Sequence, residues 1–575
     1  MNSLFLVIAG LIIFGFGYRF YASFLSSKIY SLGEFSGEVP AKEFQDGVDY
    51  VPTKKEILFG HHFTSIAGAA PIIGPCIAAY WGWLPAFLWV VLGAVLMGAV
   101  HDFGALVVSV REKGKTIADI TGSVISPRIR TMFLFFVMMF SWLVLAVFAM
   151  AIAGLFVNVP TAVLPINIEI LFAVIVGLLI YKKKMEVLVP SMVALILLYV
   201  FVYIGSLYPL SFASLGLDKA TQSNLWIILL FIYSGIASLL PVWLLLQPRD
   251  YINSHQLIVG LGLIIIGIII AQPVVDAPMI RTGGEGAPTL FPLLFVTIAC
   301  GAISGFHGLV ASGTTSKQIN NIRDTKVIGY GAMLGEGTLA MVSIIAAVAG
   351  ISLVANCNLP SIGHVDDLSW SVYYDSWAHA TTNKATAFVL GGGALIESLG
   401  ISSNLAKTIM AVLVISFAAT TLDTATRIQR FILMEIGDSI RIEPLKNRYV
   451  ATLFAVVPAL GLTLWNVTDP STGKILQAGW VLWPIFGASN QMLAALTLMI
   501  LTLYFWQRKK PILPLLIPML LIMLITFTAL IIKAQTFFSQ GNSLLFGINM
   551  VMIVLIIWMV FEGVLIVKHK FGTAK

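Results

Sequence analysis

Apolar stretches about twenty residues long recur from one end of the chain to the other, separated by short polar segments. A helix of about twenty apolar residues spans a hydrocarbon core about 30 Å thick. Fifteen such stretches are predicted: 3–23, 62–81, 84–109, 131–156, 167–181, 187–207, 224–246, 256–272, 290–316, 327–354, 405–426, 449–465, 479–506, 511–532 and 544–567. The pattern predicts an all-α polytopic membrane protein with about fifteen transmembrane helices. The longest polar interval, 355–404, is itself partly apolar and is expected as an extracellular excursion.

Composition agrees: 58% of residues are hydrophobic, 11% are charged and the mean hydropathy is +0.95. A soluble domain carries about 25% charged residues, so membrane lipid is the expected surroundings. The net charge of +7 raises the question of nucleic acid. The basic residues, however, sit between apolar stretches, where loop charge accounts for them, and no nucleic-acid partner is expected. Of the 34 Lys and Arg residues, 28 fall on one alternating set of loops. Lys219, Arg281, Lys384, Lys407, Lys474 and Lys533 make up the other. Lysine and arginine mark the cytoplasmic side, which places the N-terminus outside and the C-terminus in the cytoplasm of a multi-pass plasma-membrane protein. Leu4–Phe16 lacks a basic n-region and a small-residue cleavage site, and is expected as a retained helix. Cys76, Cys300 and Cys357 form no close pair, so neither a disulfide framework nor a zinc site is expected.

Two stretches carry helix breakers. Gly68-Ala69-Ala70-Pro71-Ile72-Ile73-Gly74-Pro75 packs two prolines and two glycines into eight residues. Tyr233-Ser234-Gly235-Ile236-Ala237-Ser238-Leu239-Leu240-Pro241 is a milder version. The alternative is a pair of Pro-kinked helices packed through small residues. These are the first and sixth core stretches and run in opposite senses, and an odd repeat of five must invert. Two inverted five-helix repeats with broken first and sixth helices resemble the LeuT-type transporter fold. The expected organisation is an N-terminal helix and loop (1–58), repeats at 59–207 and 208–430, and four peripheral helices (431–575).

Several strings are distinctive: Gly60-His61-His62-Phe63, His101-Asp102-Phe103, Gln247-Pro248-Arg249-Asp250-Tyr251, Ser304-Gly305-Phe306-His307-Gly308-Leu309, Thr420-Thr421-Leu422-Asp423-Thr424-Ala425-Thr426-Arg427 and Trp483-Pro484-Ile485-Phe486-Gly487-Ala488-Ser489-Asn490-Gln491. Together they resemble the carbon-starvation (CstA) family of bacterial inner-membrane transporters. The resemblance implies secondary active uptake of short peptides, or alternatively pyruvate/proton symport, linked to nutrient limitation. The chain is shorter than the longest members, so a C-terminal extension is expected to be absent.

Backbone freed at a break binds substrate in many transporters. Gly68, Ala69, Ala70 and Pro71 are therefore expected to bind substrate together with Ser234, Gly235, Phe306 and His307. A coupling cation is expected between Ala67, Ala70, Ser312, Thr314 and Thr315. Ionisable residues at membrane depth are costly, which makes Glu336, Asp102 and Asp423 candidate proton carriers. Asp423 is expected to pair with Arg427 one turn away, and Asp102 with Arg249 or Arg111. Glu336 has no partner within a turn, which favours H⁺ over Na⁺ as the coupling ion. A metal site from His61, His62 and His101 is the weaker alternative; no metal or other cofactor is expected. Gly114-Lys115-Thr116 lacks the first glycine of a P-loop and there is no HExxH, so neither an enzyme nor an ATPase subunit is expected. An ion gradient is left as the driving force.

Overall fold

The computed structural model describes residues 1–284, 287–359, 362–383, 385–468, 475–477 and 482–573. Among them, twelve helices are long and apolar enough to cross a membrane, and one bent pair passes the same test. In chain order they are α1 (Leu4–Glu34), the pair α2 (Lys55–Ile66) and α3 (Ala70–Trp81), α4 (Trp83–Arg111), α5 (Pro127–Asn158), α6 (Pro160–Tyr181), α7 (Leu188–Leu207), α8 (Lys219–Leu239) and α9 (Leu246–Ala271). Three short helices follow: α10 (Leu290–Thr297), α11 (Ala299–Ala302) and α12 (Gly305–Gly313). Then come α13 (Ile322–Val348), the shorter α14 (Thr386–Glu397), α15 (Ser403–Ile440), the shorter α16 (Arg448–Leu464), α17 (Trp483–Gln507), α18 (Leu513–Ser539) and α19 (Ser543–Ile566). The protein is a multi-pass, mostly helical membrane protein.

Helices of similar apolarity occupy different places. The apolar windows of α13, α15 and α17 are 83%, 89% and 100% buried, whereas those of α1, α6 and α7 are 28%, 39% and 39% buried. Lipid and a protein core are equally apolar, so hydropathy alone does not separate a central helix from a rim helix.

The first break is narrower than the sequence predicts. It is confined to Ala67–Ala69, where the chain bends by 44° between α2 and α3. Ala70 to Pro75 is helical, which corrects the expectation of a non-helical Gly68–Pro75. Pro71 lies in the first turn of α3, where no N–H is needed, and Pro75 is absorbed inside the helix.

The second expected break is absent from its predicted place. The helix α8 runs unbroken through Ser234–Ser238, whose Ser234 and Ser238 hydroxyls donate to the Phe231 and Gly235 carbonyls. Pro241 acts on the residue before it: Leu240 is extended (φ −72°, ψ 150°), and the helix has already ended. The interruption occurs instead in the eighth core stretch. Ile298 leaves helical geometry between α10 and α11, and Ile303–Ser304 is extended between α11 and α12. β-Branched Ile298 and Ile303 and the N-capping position of Ser304 favour these departures.

The two broken segments lie against each other. A Cβ built on Gly74 of α3 would sit 2.3 Å from the Thr297 carbonyl oxygen, and one on Gly98 of α4 2.4 Å from that of Ala302. Only glycine allows this approach. The excursion after α13 folds back over α3. Its antiparallel pair β1 (Asn356–Leu359) and β2 (Gly363–Asp366) leads to Trp370 and Tyr374. The Trp370 indole N–H donates to the Ala79 carbonyl (3.1 Å) and the Tyr374 hydroxyl to that of Cys76 (2.6 Å).

Gly74→Ala is expected to force α3 and α10 apart at a cost of about 1–3 kcal/mol. A thermal melt in detergent should fall by several degrees, whereas Gly15→Ala, with nothing within 4 Å of the added carbon, should leave it unchanged.

Candidate functional site

Interrupting a helix inside a membrane strands backbone groups that lipid does not satisfy. Each break is clamped by side chains, chiefly from one neighbouring helix. At the first, the Thr421 hydroxyl of α15 donates to the Ser65 carbonyl (3.2 Å) and Thr424 meets the Ser65 hydroxyl (3.2 Å). At the second, Asn490 of α17 accepts from the Phe306 N–H (2.9 Å) and donates to the Ser304 hydroxyl (2.9 Å). The Phe295 carbonyl accepts from Gln491 (2.7 Å) and from the Trp89 indole (3.2 Å). These contacts account for two of the distinctive strings: the threonine-rich turn of α15 and the Ser-Asn-Gln of α17.

Two fully buried ionisable networks flank the breaks. In the first, Asp102 on α4 accepts from His101 Nδ1 (2.7 Å) and from His307 Nδ1 (2.8 Å). His307 Nε2 lies 3.1 Å from Glu336 Oε2 on α13, close enough for an ion pair but out of line for a hydrogen bond. A single proton resides on one group or the other, giving imidazolium with carboxylate or imidazole with carboxylic acid. Gly308 lets His101 lie against α12, since a Cβ there would be 3.1 Å from the imidazole ring. His62 Nδ1 contacts the Thr315 hydroxyl (2.9 Å), and the Nε2 atoms of His62 and His101 have no hydrogen-bond partner among the described residues.

The second network lies around Arg249. Its guanidinium reaches Asp423 (2.6 Å) and donates to the Tyr233 hydroxyl (2.5 Å), which in turn donates to Asp423 (2.9 Å). The next residue, Asp250, accepts from His61 Nδ1 (2.5 Å). Glu169, alone in the apolar α6, accepts from the Ser416 hydroxyl (2.9 Å). Nearby, Arg427 pairs with Asp49 (2.9 Å) and donates to the Ala237 and Leu240 carbonyls, covering the backbone freed at the end of α8.

The pairings differ from those expected. Asp423 pairs with Arg249 and not with Arg427, because Arg427 turns toward Asp49 and the end of α8. Asp102 pairs with two histidines and with neither Arg249 nor Arg111; Arg111 donates to the Tyr30 and Ser31 carbonyls. Glu336 is not isolated, since His307 comes to it from another helix. His61, His62 and His101 are not gathered into one ligand set, and no group of three or more His, Cys, Asp or Glu among the described residues is arranged to hold a metal.

The expected substrate and cation residues are only partly brought together. Gly68, Ala69, Ala70 and Pro71 lie at the first break, where Gly68 packs against Phe148 and Thr421. Phe306 and His307 open α12 at the second. Ser234 and Gly235 are elsewhere, on a helix whose Gly235 faces Thr452 and Val456 of α16. The hydroxyl row is already occupied: Ser312 accepts from the Ile117 N–H (3.1 Å), Thr314 from Gln318 (2.9 Å), and Thr315 meets His62. That row faces the His61–His62 turn, more than a helical turn before Ala67 and Ala70.

A cavity of about 790 Å³ opens on the face away from most of the lysines and arginines. Its lining includes Ile73, one turn beyond the first break, with Asn158, Lys219, Cys357, Thr386 and Lys407. Burial raises the thiol of Cys357, and the Lys407 charge opposes that rise.

Geometry therefore defines a multi-pass membrane protein with ionisable groups buried around two interrupted helical segments. Residues 2–529 match the family described as carbon starvation protein CstA. The chain belongs to that family. The Helicobacter pylori peptide transporter CstA is 32% identical over 96% of this chain and 84% of that protein. The pyruvate/proton symporter BtsT of Escherichia coli is 32% identical over 89% of this chain and 78% of its own length. Among solved structures, a manganese transporter of Eremococcus coleocola aligns over 90% of this chain and 98% of its own, at 14% identity and a TM-score of 0.48.

Tyr233, Asp250 and Glu169 were not singled out by sequence reasoning, although a lone glutamate in an apolar stretch was a visible signal. Removing Arg249 would leave buried Asp423 without its cationic partner, so Arg249→Met should cost about 3–5 kcal/mol. Adding Asp423→Asn to that variant should recover part of the loss, measured as a double-mutant cycle on thermal melts in detergent.

Proposed function

We propose that this protein is a secondary active transporter that carries short peptides inward across the plasma membrane, driven by the proton gradient. The observation that carries the reading is His307, buried at the second break and placed between Asp102 and Glu336. A membrane-buried imidazole between two carboxylates, with one proton serving two acceptors, is suited to loading and releasing protons as the surroundings alternate between wet and dry. The relatives named as a peptide transporter and as a pyruvate/proton symporter support the substrate and the ion. The pyruvate reading is the alternative, and the cavity favours peptides, because its volume falls within the roughly 300–1,000 Å³ of sites for ligands much larger than a three-carbon acid.

In this reading the fifteen apolar stretches are fifteen spans, with the N-terminus outside and the C-terminus in the cytoplasm. The inverted five-helix units are residues 55–207 and 290–507, with α8 and α9 as a hairpin between them. Each unit opens with an interrupted span, continues with a span containing a π-helical segment (Ala94–Gly98, Lys326–Gly331), and then has a long helix, α5 or α15. The LeuT-type architecture is thereby kept, with a different second broken helix. The hydroxyls of Ser312, Thr314 and Thr315 are committed to the protein, which favours H⁺ over Na⁺. Asp102, His307 and Glu336 are the proton carriers, and Asp423 is held by Arg249 in a structural role. Uptake would serve the cell under nutrient limitation.

The test uses purified protein in liposomes with imposed pH and Na⁺ gradients. Uptake of labelled trialanine should follow the pH gradient and be unaffected by Na⁺. Glu336→Gln keeps shape but does not titrate, so it should lose pH-driven accumulation while retaining exchange between equilibrated compartments. Full pH-driven uptake by that variant would remove Glu336 from the mechanism.

A further inference from the structure

Positive charge is scarce on the face that the cavity opens to. Among the described residues this face carries Lys219, Arg281, Lys407 and Lys533, and two of the four line one cavity. Arg281 is committed elsewhere, donating to the Tyr374 and Asp375 carbonyls and lying 4.2 Å from the Tyr80 ring centre. Lys219 and Lys407 have no acidic partner within ion-pair distance among the described residues. The nearest acid in sequence, Asp218, is occupied in capping α8, where it accepts from the Ala220 N–H (3.1 Å) and the Thr221 hydroxyl.

Lys219 also stands against local helix electrostatics. Lys219 is the first residue of α8, and Lys407 lies in the second turn of α15. A helix N-terminus carries partial positive charge and favours acids, so a lysine in the first turn is unfavourable. The N-terminus of α14 reaches the same cavity through Ala385 and Thr386. Three positive helix ends and two unpaired ammonium groups thus surround one space, whose remaining lining is mostly apolar: Ile73, Ala151, Leu155, Val389 and Leu390. An anion inside the cavity would meet all of these groups at once.

We propose that this cavity is an entry vestibule in which Lys219 and Lys407 capture the free carboxylate of an incoming substrate, chiefly the C-terminus of a short peptide whose side chains rest on the apolar wall toward Ile73. The choice of peptide as occupant and of this face as the outer one rests on the importer reading; the carboxylate recognition rests on the lining alone. Selection follows from charge. A peptide with a blocked C-terminus loses the attraction, whereas one with a blocked N-terminus keeps it.

The experiment measures equilibrium binding to purified protein in lipid nanodiscs, with labelled trialanine competed by trialanine amide and by pyruvate. Trialanine should bind roughly tenfold tighter than its amide at low ionic strength, and the preference should shrink at high ionic strength. Pyruvate should displace it weakly. Lys219→Gln and Lys407→Gln should each cost roughly fivefold for trialanine and nothing for the amide, and the double variant should bind the two alike. Lys→Arg at both positions should keep the preference, which separates charge from damage to the fold. Wild-type protein with equal affinity for trialanine and its amide, or a double Gln variant that still prefers trialanine, would overturn the proposal. Binding does not require transport. A protein that prefers trialanine yet fails to accumulate it would refute the importer reading alone, and gradient-driven uptake indifferent to the C-terminal carboxylate would refute the vestibule alone.

Discussion

Backbone hydrogen bonding in a medium without water constrains this structure more than any other factor. An intact helix satisfies its own N–H and C=O groups, and an interrupted one does not. Here two helical segments that pack against each other are interrupted, at 67–69 and at 298–304, each exposing carbonyls and amides that lipid would leave unpaired. The remedy is local and specific. Thr421 and Thr424 from α15 hold the first break, while Asn490 and Gln491 from α17 hold the second. Those two helices are accordingly among the most enclosed in the molecule, because each delivers polar groups to the centre while remaining apolar elsewhere. Gly74 then lets the two broken segments approach to backbone contact, and Gly98 lets α4 approach the second.

The breaks also determine where charge is tolerated. An isolated carboxylate at membrane depth is costly, whereas one that accepts two imidazole N–H groups is not. Asp102 meets that condition through His101 and His307, and His307 reaches Glu336 only because α12 begins anew at Gly305. On the other side of α2, Arg249, Tyr233 and Asp423 form a second set tied to α8, α9 and α15. The turn carrying His61 and His62 touches Asp250 of the second set through His61 and, through His62, Thr315 just beyond α12, the helix that carries His307. Movement of α2 would therefore disturb both networks together, giving the first break a mechanical link to the ionisable groups.

Much of the fold was legible in the chain. Among the described residues the apolar stretches became mostly helix, two of them interrupted, since hydropathy over that length leaves little alternative in lipid. The first break was readable from its prolines and glycines, although proline marked the start of the following helix and not an extended loop. The second was misplaced. Ser234 and Ser238 back-bond to their own helix and Pro241 ends it, whereas Ile298 to Ser304 contains no proline and breaks because Asn490, nearly two hundred residues later, supplies the missing hydrogen bonds.

The sequence by itself determined that this chain lives in a membrane, where its helices run, which face carries its positive charge, and which family it resembles. All of these follow from residue type and local spacing. Only the tertiary structure decided which carboxylate meets which base. Asp423 turned to Arg249 and not to Arg427 one turn away, and Glu336 found His307 across the helix break. Such pairs are set by the contact of surfaces far apart in sequence, and a one-dimensional pattern does not encode that distance.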